Sequence, residues 1–82
     1  MPRKESDFFE ILTEIFVEVL AVDPEKITPE ASLEFDLGMD SLDKTEVLMA
    51  LEERFDAEIP ETELRSCVTV NDVVRMLVKE GL

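Results

Sequence analysis

Three runs of this chain repeat apolar residues at helical spacing, and that spacing leaves little room for anything but a helical fold. Phe8, Leu12, Ile15, Phe16 and Val19 fall at i, i+4, i+7, i+8 and i+11. Val47, Ala50, Leu51 and Phe55 fall at i, i+3, i+4 and i+8, and Val70, Val73, Val74 and Leu77 at i, i+3, i+4 and i+7. Each set makes one stripe along a helix of 3.6 residues per turn. Valine is β-branched, so a strand is the competing reading of Val68 to Val74. The spacing favours helix, and so does Thr69, a capping residue with Asp72 in the reciprocal position.

Local chemistry predicts the boundaries. The first helix runs from about Asp7, its expected cap, with Glu10 in the capping-box position, to Leu20. Asp23-Pro24 ends it. Glu10, Glu14 and Glu18 stand at four-residue steps and repel mildly, so packing must hold this helix. The second helix runs from Ser41 to Phe55 and is broken by Asp56-Ala57-Glu58-Ile59-Pro60. Pro60 suits the first position of a short helical turn to Arg65. Gly81 stops the last helix. Between the first two helices lies a connection of about residues 21–40, with Pro24, Pro29 and Gly38 as breakers. Connections that long are uncommon in small domains and are often functional. Ile27, Leu33, Phe35 and Leu37 recur through it, and all four are expected to plug into the core and pin it. The prediction is an all-α fold: a small four-helix bundle of three principal helices and one short one, with a long ordered loop.

A chain of 82 residues makes one domain, residues 1–82. Its one cysteine, Cys67, permits no internal disulfide, which fits a reducing compartment. Acidic residues interrupt the N-terminal region, so neither a leader nor a membrane span is expected, and a cytoplasmic protein is. Acidic residues number 21 against 8 basic, a net charge of -13. That charge repels phosphate backbones and anionic lipid, and so argues against nucleic acid and membranes as partners. It invites partners with basic patches. Self-repulsion also opposes compaction, so salt or divalent cations are expected to raise the melting temperature.

The machinery of catalysis is missing. Without histidine there is no Ser-His or Cys-His dyad and no His-bearing metal site. Cys67, beside Val68 in an apolar stretch, reads as a small core residue. No glycine-rich phosphate cradle occurs. Asp36, Gly38 and Asp40 do not fit a calcium loop. The carboxylates lie on solvated helix faces, with nothing to separate their pKa values. The chain is not expected to be an enzyme.

What remains is Ser41, which follows a glycine-containing turn. Its ordinary role is a helix N-cap, but Asp40 competes for that role, and if Asp40 caps, the Ser41 hydroxyl points outward from the first turn. A phosphate ester there would gain from the positive end of the helix dipole. It would also be repelled by Asp36, Asp40 and Asp43. Both are surface effects on the order of 1 kcal/mol or less, and they do not decide the matter. On the outward side of the same helix, Leu42 and Met49 lie among Thr45, Glu46, Glu52 and Glu53. They are either edge-of-core residues or apolar contacts ringed by carboxylates for a partner.

Asp36-Leu37-Gly38-Met39-Asp40-Ser41-Leu42-Asp43 closely resembles the prosthetic-group attachment motif of acyl carrier proteins, in its Asp-Ser-Leu form. The likeness continues through Glu46, Met49 to Glu53, Phe55, Glu58-Ile59-Pro60 and Thr69-Val70, and so covers nearly the whole chain. It implies a single acyl-carrier domain whose Ser41, flanked by Asp40 and Leu42, accepts 4'-phosphopantetheine from coenzyme A. It implies a non-catalytic carrier of acyl thioesters in fatty acid biosynthesis or a related acyl or polyketide pathway. A holo-synthase would load it, and its partners would be acyl-transfer and synthase enzymes with basic patches. Asp43, Glu46, Met49, Glu52 and Glu53 match the family's recognition helix, and the acyl chain would tuck near Val47, Leu51, Ile59, Leu64, Cys67 and Val68. No metal site is implied, and a monomer is expected. Some positions depart from the common pattern. Lys44 and Arg54 bring positive charge into the recognition helix, Thr45 and Met39 replace the usual valine and alanine, and Cys67 replaces a bulkier aliphatic residue, which implies a slightly larger acyl cavity. The alternatives are a D-alanyl or other specialised carrier, or an acidic interaction module without a prosthetic group.

Overall fold

In the computed structural model, which describes residues 4–82, α1 spans Glu5–Leu20, α2 Ser41–Phe55, α3 Glu61–Arg65 and α4 Val70–Lys79. Met1 to Arg3, where the expectation of no leader begins, lie outside the described residues. α1 packs on α4 and α2, α2 on α3, and α3 on α4. The only β-type pairing among the described residues is an isolated bridge between Ser32 and Thr69, so the helical reading of Val68 to Val74 holds from Val70 onward.

The stripes predicted from spacing form the core. Phe8, Leu12, Ile15 and Phe16 are buried, and Val19 packs at the edge. Val47 and Leu51 face them from α2, with Leu48 also buried and Ala50 and Phe55 half-buried. The rings of Phe8 and Phe55 meet with centroids 5.9 Å apart, a tilted pairing between α1 and α2. From α4 come Val70, Val73, Val74 and Leu77, joined by Met76.

The helix ends follow capping chemistry, with one correction. α1 begins at Glu5, before the expected cap Asp7. Asp7 instead sits in the first turn, where its Oδ2 accepts the Lys4 backbone N–H at 3.0 Å. At the other end Ala21 takes a left-handed conformation, φ 55°, and its N–H returns to the Val17 carbonyl at 3.0 Å. Asp23 caps a single 3-10 turn, Pro24–Lys26. Pro60 caps α3 rather than standing as its first residue. α4 has the predicted box: the Asp72 N–H donates to Thr69 Oγ1, and Asp72 Oδ2 accepts the Thr69 N–H at 3.0 Å. Gly81, at φ 76°, takes the left-handed position that ends it.

The long connection is pinned twice. Its backbone is tied to the α3–α4 junction, the Leu33 N–H donating to the Val68 carbonyl at 2.9 Å and the Val70 N–H to the Ala31 carbonyl at 3.1 Å. Ile27, Leu33 and Leu37 are buried as expected, and so are Ala31 and Met39. Phe35 is not: it is 90 % exposed. The reason is the winding of this segment. The N–H groups of Asp36 and Leu37 both return to the Ser32 carbonyl, so the chain turns back about every four residues. Leu33 and Leu37 therefore share the inner side and Phe35 faces out.

Candidate functional site

The turn ahead of α2 determines how Ser41 is presented. Leu37 and Met39 both bury their side chains, and the exposed residue between them turns the chain. Gly38 does so at φ 67°, a left-handed conformation that costs a side chain-bearing residue roughly 1–2 kcal/mol. The Met39 N–H donates to the Leu33 carbonyl at 2.8 Å, which locks the turn one residue before the cap.

Asp40 is that cap. Its Oδ1 accepts the Asp43 N–H at 2.8 Å, and Asp43 Oδ2 accepts the Asp40 N–H at 3.1 Å. Ser41 is the first helical residue and is exposed, and its hydroxyl has no part in the cap. The competition left open by the sequence resolves in favour of Asp40.

A hollow of about 310 Å³ opens at Ser41. Lys44, Thr45 and Leu48 form its α2 wall, and Glu61, Leu64 and Arg65 form its α3 wall. Two ion pairs frame it: Lys44 Nζ lies 3.3 Å from Glu34, and an Arg65 nitrogen lies 2.6 Å from Glu61. Lys44, Leu48 and Arg65 were not among the residues read as a site. Lys44, Thr45 and Leu48 follow Ser41 at i+3, i+4 and i+7, so projecting its face along α2 finds them; Arg65 requires the position of α3.

The other face of α2 presents Leu42, 65 % exposed, and Met49, 62 % exposed, with Glu46 and Glu53 exposed among them. These four recur at i, i+4, i+7 and i+11 and form one stripe. Asp43 and Glu52 are half-buried and engaged internally. Asp43 completes the cap, and Glu52 Oε2 accepts the Ile59 N–H at 3.0 Å across the α2–α3 turn. Arg54 pairs with Glu14 of α1 at 3.2 Å, so the two cations of α2 are both committed within the fold.

The residues read as an acyl pocket divide. Val47, Leu51, Ile59, Leu64 and Cys67 are buried, and of these Leu64 also lines the hollow at Ser41. Val68 lies outside, 64 % exposed. The Cys67 thiol donates to the Glu63 carbonyl at 3.3 Å. Burial pushes it up to about 11, with the carboxylates of Asp72 and Glu63 adding to the effect. At neutral pH it is a protonated core residue, not a nucleophile. Among the described residues no group of His, Cys, Asp and Glu could hold a metal ion, and no helix is long and apolar enough to cross a membrane.

The family model for the phosphopantetheine attachment site matches residues 10–77. The acyl carrier protein of Bdellovibrio bacteriovorus is 52% identical over 68 residues, which cover 83% of this chain and 87% of that protein. That of Thermosynechococcus vestitus is 49% identical over 70 residues, 85% of this chain and 86% of its own length. That of Campylobacter curvus is 45% identical over 73 residues, 89% and 95% of the two chains.

Proposed function

This chain belongs to the acyl carrier protein family with a phosphopantetheine attachment site, and we propose that Ser41 is the residue that bears the prosthetic group. One observation carries the assignment: Asp40 caps α2, and so the adjacent Ser41 hydroxyl is exposed and uncommitted at the mouth of a hollow. The surroundings fit a phosphodiester. Backbone N–H groups of the first turn and the cations Lys44 and Arg65 offset the acidic neighbours. The chain has no histidine to pair with the serine, and we assign its activation to a separate transferase.

The protein is a non-catalytic carrier. When attached, 4'-phosphopantetheine supplies a thiol that holds acyl groups as thioesters. The chain's own part is to present the attachment point on a rigid turn and to dock on the enzymes that load and unload it. Leu42, Glu46, Met49 and Glu53 suit that docking, a small apolar centre flanked by carboxylates that steers towards basic patches. Such encounters are fast and short-lived, as a carrier visiting several enzymes requires. We place the pathway in fatty acid biosynthesis, with residues 1–82 as one monomeric carrier domain acting in the cytoplasm.

Intact mass after incubation with coenzyme A, magnesium and a broad-specificity phosphopantetheinyl transferase tests the assignment. A gain of one phosphopantetheinyl group on the wild type and none on Ser41→Ala is expected. Modification of the alanine variant, or of neither folded protein, would overturn it.

A further inference from the structure

We propose that the transferase that modifies Ser41 also closes a basic face over Phe35 and Val68, a second docking surface separate from the α2 stripe. The proposal rests on the reading of Ser41 as the modified residue. Folding leaves both side chains uncovered, Phe35 at 90 % and Val68 at 64 % exposure. They line one hollow together with Lys44 and Arg65, and the same two cations line the hollow at Ser41. The steps between are short. Lys44 follows Ser41 by one helical turn, its Nζ lies 3.3 Å from Glu34, and Glu34 is the chain neighbour of Phe35. Even a transient enzyme contact covers roughly 600 Å² per partner, a disc about 14 Å in radius. Centred on Ser41, a face of that size extends past Lys44 on the hollow side as it extends past Leu42 on the other.

Charge says what covers the patch. Phe35 stands between Glu34 and Asp36, both exposed, and so repeats the make-up of the α2 stripe, an apolar side chain among carboxylates. Lys44 and Arg65 are paired with Glu34 and Glu61, so neither opposes a basic partner. A further hollow that Phe35 lines holds Glu30 and Asp36 against one cation, Lys26. One basic enzyme face therefore complements both surfaces. The backbone beneath is fixed: the Phe35 N–H donates to Ser32 Oγ at 3.1 Å, and the Val68 carbonyl accepts the Leu33 N–H at 2.9 Å. Side chains presented on a fixed backbone bind with little ordering cost. A second copy of this chain suits the patch poorly. A phenyl ring and a valine side chain bury far less than the roughly 800 Å² per partner of a stable dimer. A net charge of -13 on each copy also opposes their approach.

Steady-state loading by the broad-specificity transferase, with coenzyme A and magnesium, tests this on the doubly substituted variant Phe35→Ser, Val68→Ser. Both positions are exposed, so its melt should match that of the wild type. Its KM is expected to rise about tenfold, as loss of a buried aromatic face implies. Its kcat should not change, because neither side chain touches the reacting atoms. The salt dependence of kcat/KM should keep its slope, since the lost contact is apolar. An unchanged KM overturns the proposal, and so does a fall in kcat alone. Intact mass of the wild type reads the Ser41 assignment separately. No gain sinks that assignment and the proposal with it, whereas loading with equal KM sinks the proposal alone. As a second measurement, methyl spectra of the apo protein are recorded with the transferase and coenzyme A, magnesium withheld. The Val68 methyls should shift together with those of Leu42, and Val78, at the far end of α4, should not. Movement of Leu42 without Val68 overturns the proposal. So does sedimentation that shows a wild-type dimer dissolved by the variant, which would put a second copy on the patch.

Discussion

Asp40 and Asp43 cap each other's backbone at the start of α2, with N–H to carboxylate distances of 2.8 and 3.1 Å, and the serine between them is left out of the exchange. Two aspartates do the work that a serine commonly does at a helix start, and the hydroxyl is thereby free for chemistry. The substitution pattern should be inverted relative to an ordinary serine cap. Asp40→Ala is expected to cost about 1 kcal/mol. In a domain of this size that lowers the melting temperature by roughly 4–8 °C. Ser41→Ala should stay within about 0.5 kcal/mol of wild type, as surface changes without a cap or core role do. Thermal melts of the two apo variants check this. A larger loss from the serine variant would mean that its hydroxyl carries part of the cap.

Glu46 and Glu52 stand on the same helix with different tasks. Glu46 is exposed on the stripe of Leu42 and Met49, whereas Glu52 holds the Ile59 N–H at 3.0 Å. Glu46→Lys is expected to slow loading by the transferase and flatten its salt dependence, with no loss of stability. Glu52→Ala should lower stability by about 1 kcal/mol by orphaning a backbone donor. Rates measured over a salt series, beside melts of the same proteins, separate docking from structure. Equal loading rates for Glu46→Lys and wild type at low salt would move the docking surface away from α2.

Much of this could be read in the sequence wherever the deciding chemistry is local. The bounds of α2 and the Thr69 cap of α4 depend on residues within one turn, and both stand as predicted. The start of α1 was less legible. A carboxylate in the first turn can reach back to a preceding N–H as well as cap its own helix, and Asp7 reaches back to Lys4. Phe35 was misplaced because Leu33, Phe35 and Leu37 alternate like an inward-facing set, while the turn at Ser32 gives this segment a different period. Ser41 was visible as a motif. On the α3 side of its hollow only Leu64 was named, through the resemblance; Glu61 and Arg65 were not, because they meet α2 only through tertiary packing.

Asp72 ties stability to pH. Hydrogen bonds from the Val68 and Thr69 backbone N–H groups stabilise its carboxylate, and hold it below the usual aspartate value of 3.8. A group with a depressed folded-state pKa stabilises the fold above its unfolded value, and that contribution fades as pH falls through the folded value. Asp72→Ala is therefore expected to be less stable than wild type at pH 7, by about 1 kcal/mol. The gap should narrow once the pH drops below 3.8. Paired denaturation curves from pH 7 downward measure it, and a gap that stays constant through the acid range would contradict the assignment of the charge to this cap.

Cys67 offers a chemical test of burial. Its thiol is pushed up to about 11 and bonded to the Glu63 carbonyl, so iodoacetamide at pH 7 should leave the folded apo protein unmodified and alkylate it after denaturation. On the loaded protein one alkylation is expected without denaturant, on the prosthetic thiol. Rapid labelling of the folded apo protein would show that the α3–α4 junction opens far more readily than its packing implies.

Ala21 carries strain that can be removed. It ends α1 at φ 55°, where a Cβ crowds the backbone, and this conformation costs an alanine roughly 1–2 kcal/mol relative to a glycine that adopts it freely. Glycine has more freedom to lose on folding, which offsets roughly 0.5–1 kcal/mol. Ala21→Gly should therefore be stabilising by a net fraction of a kilocalorie per mole, an unusual sign for a change to glycine. Ala21 is exposed and distant in sequence from the α2 stripe, so loading at Ser41 should be unaffected. A lower melting temperature in the glycine variant would mean that the alanine methyl contributes packing to the end of α1 that outweighs its strain.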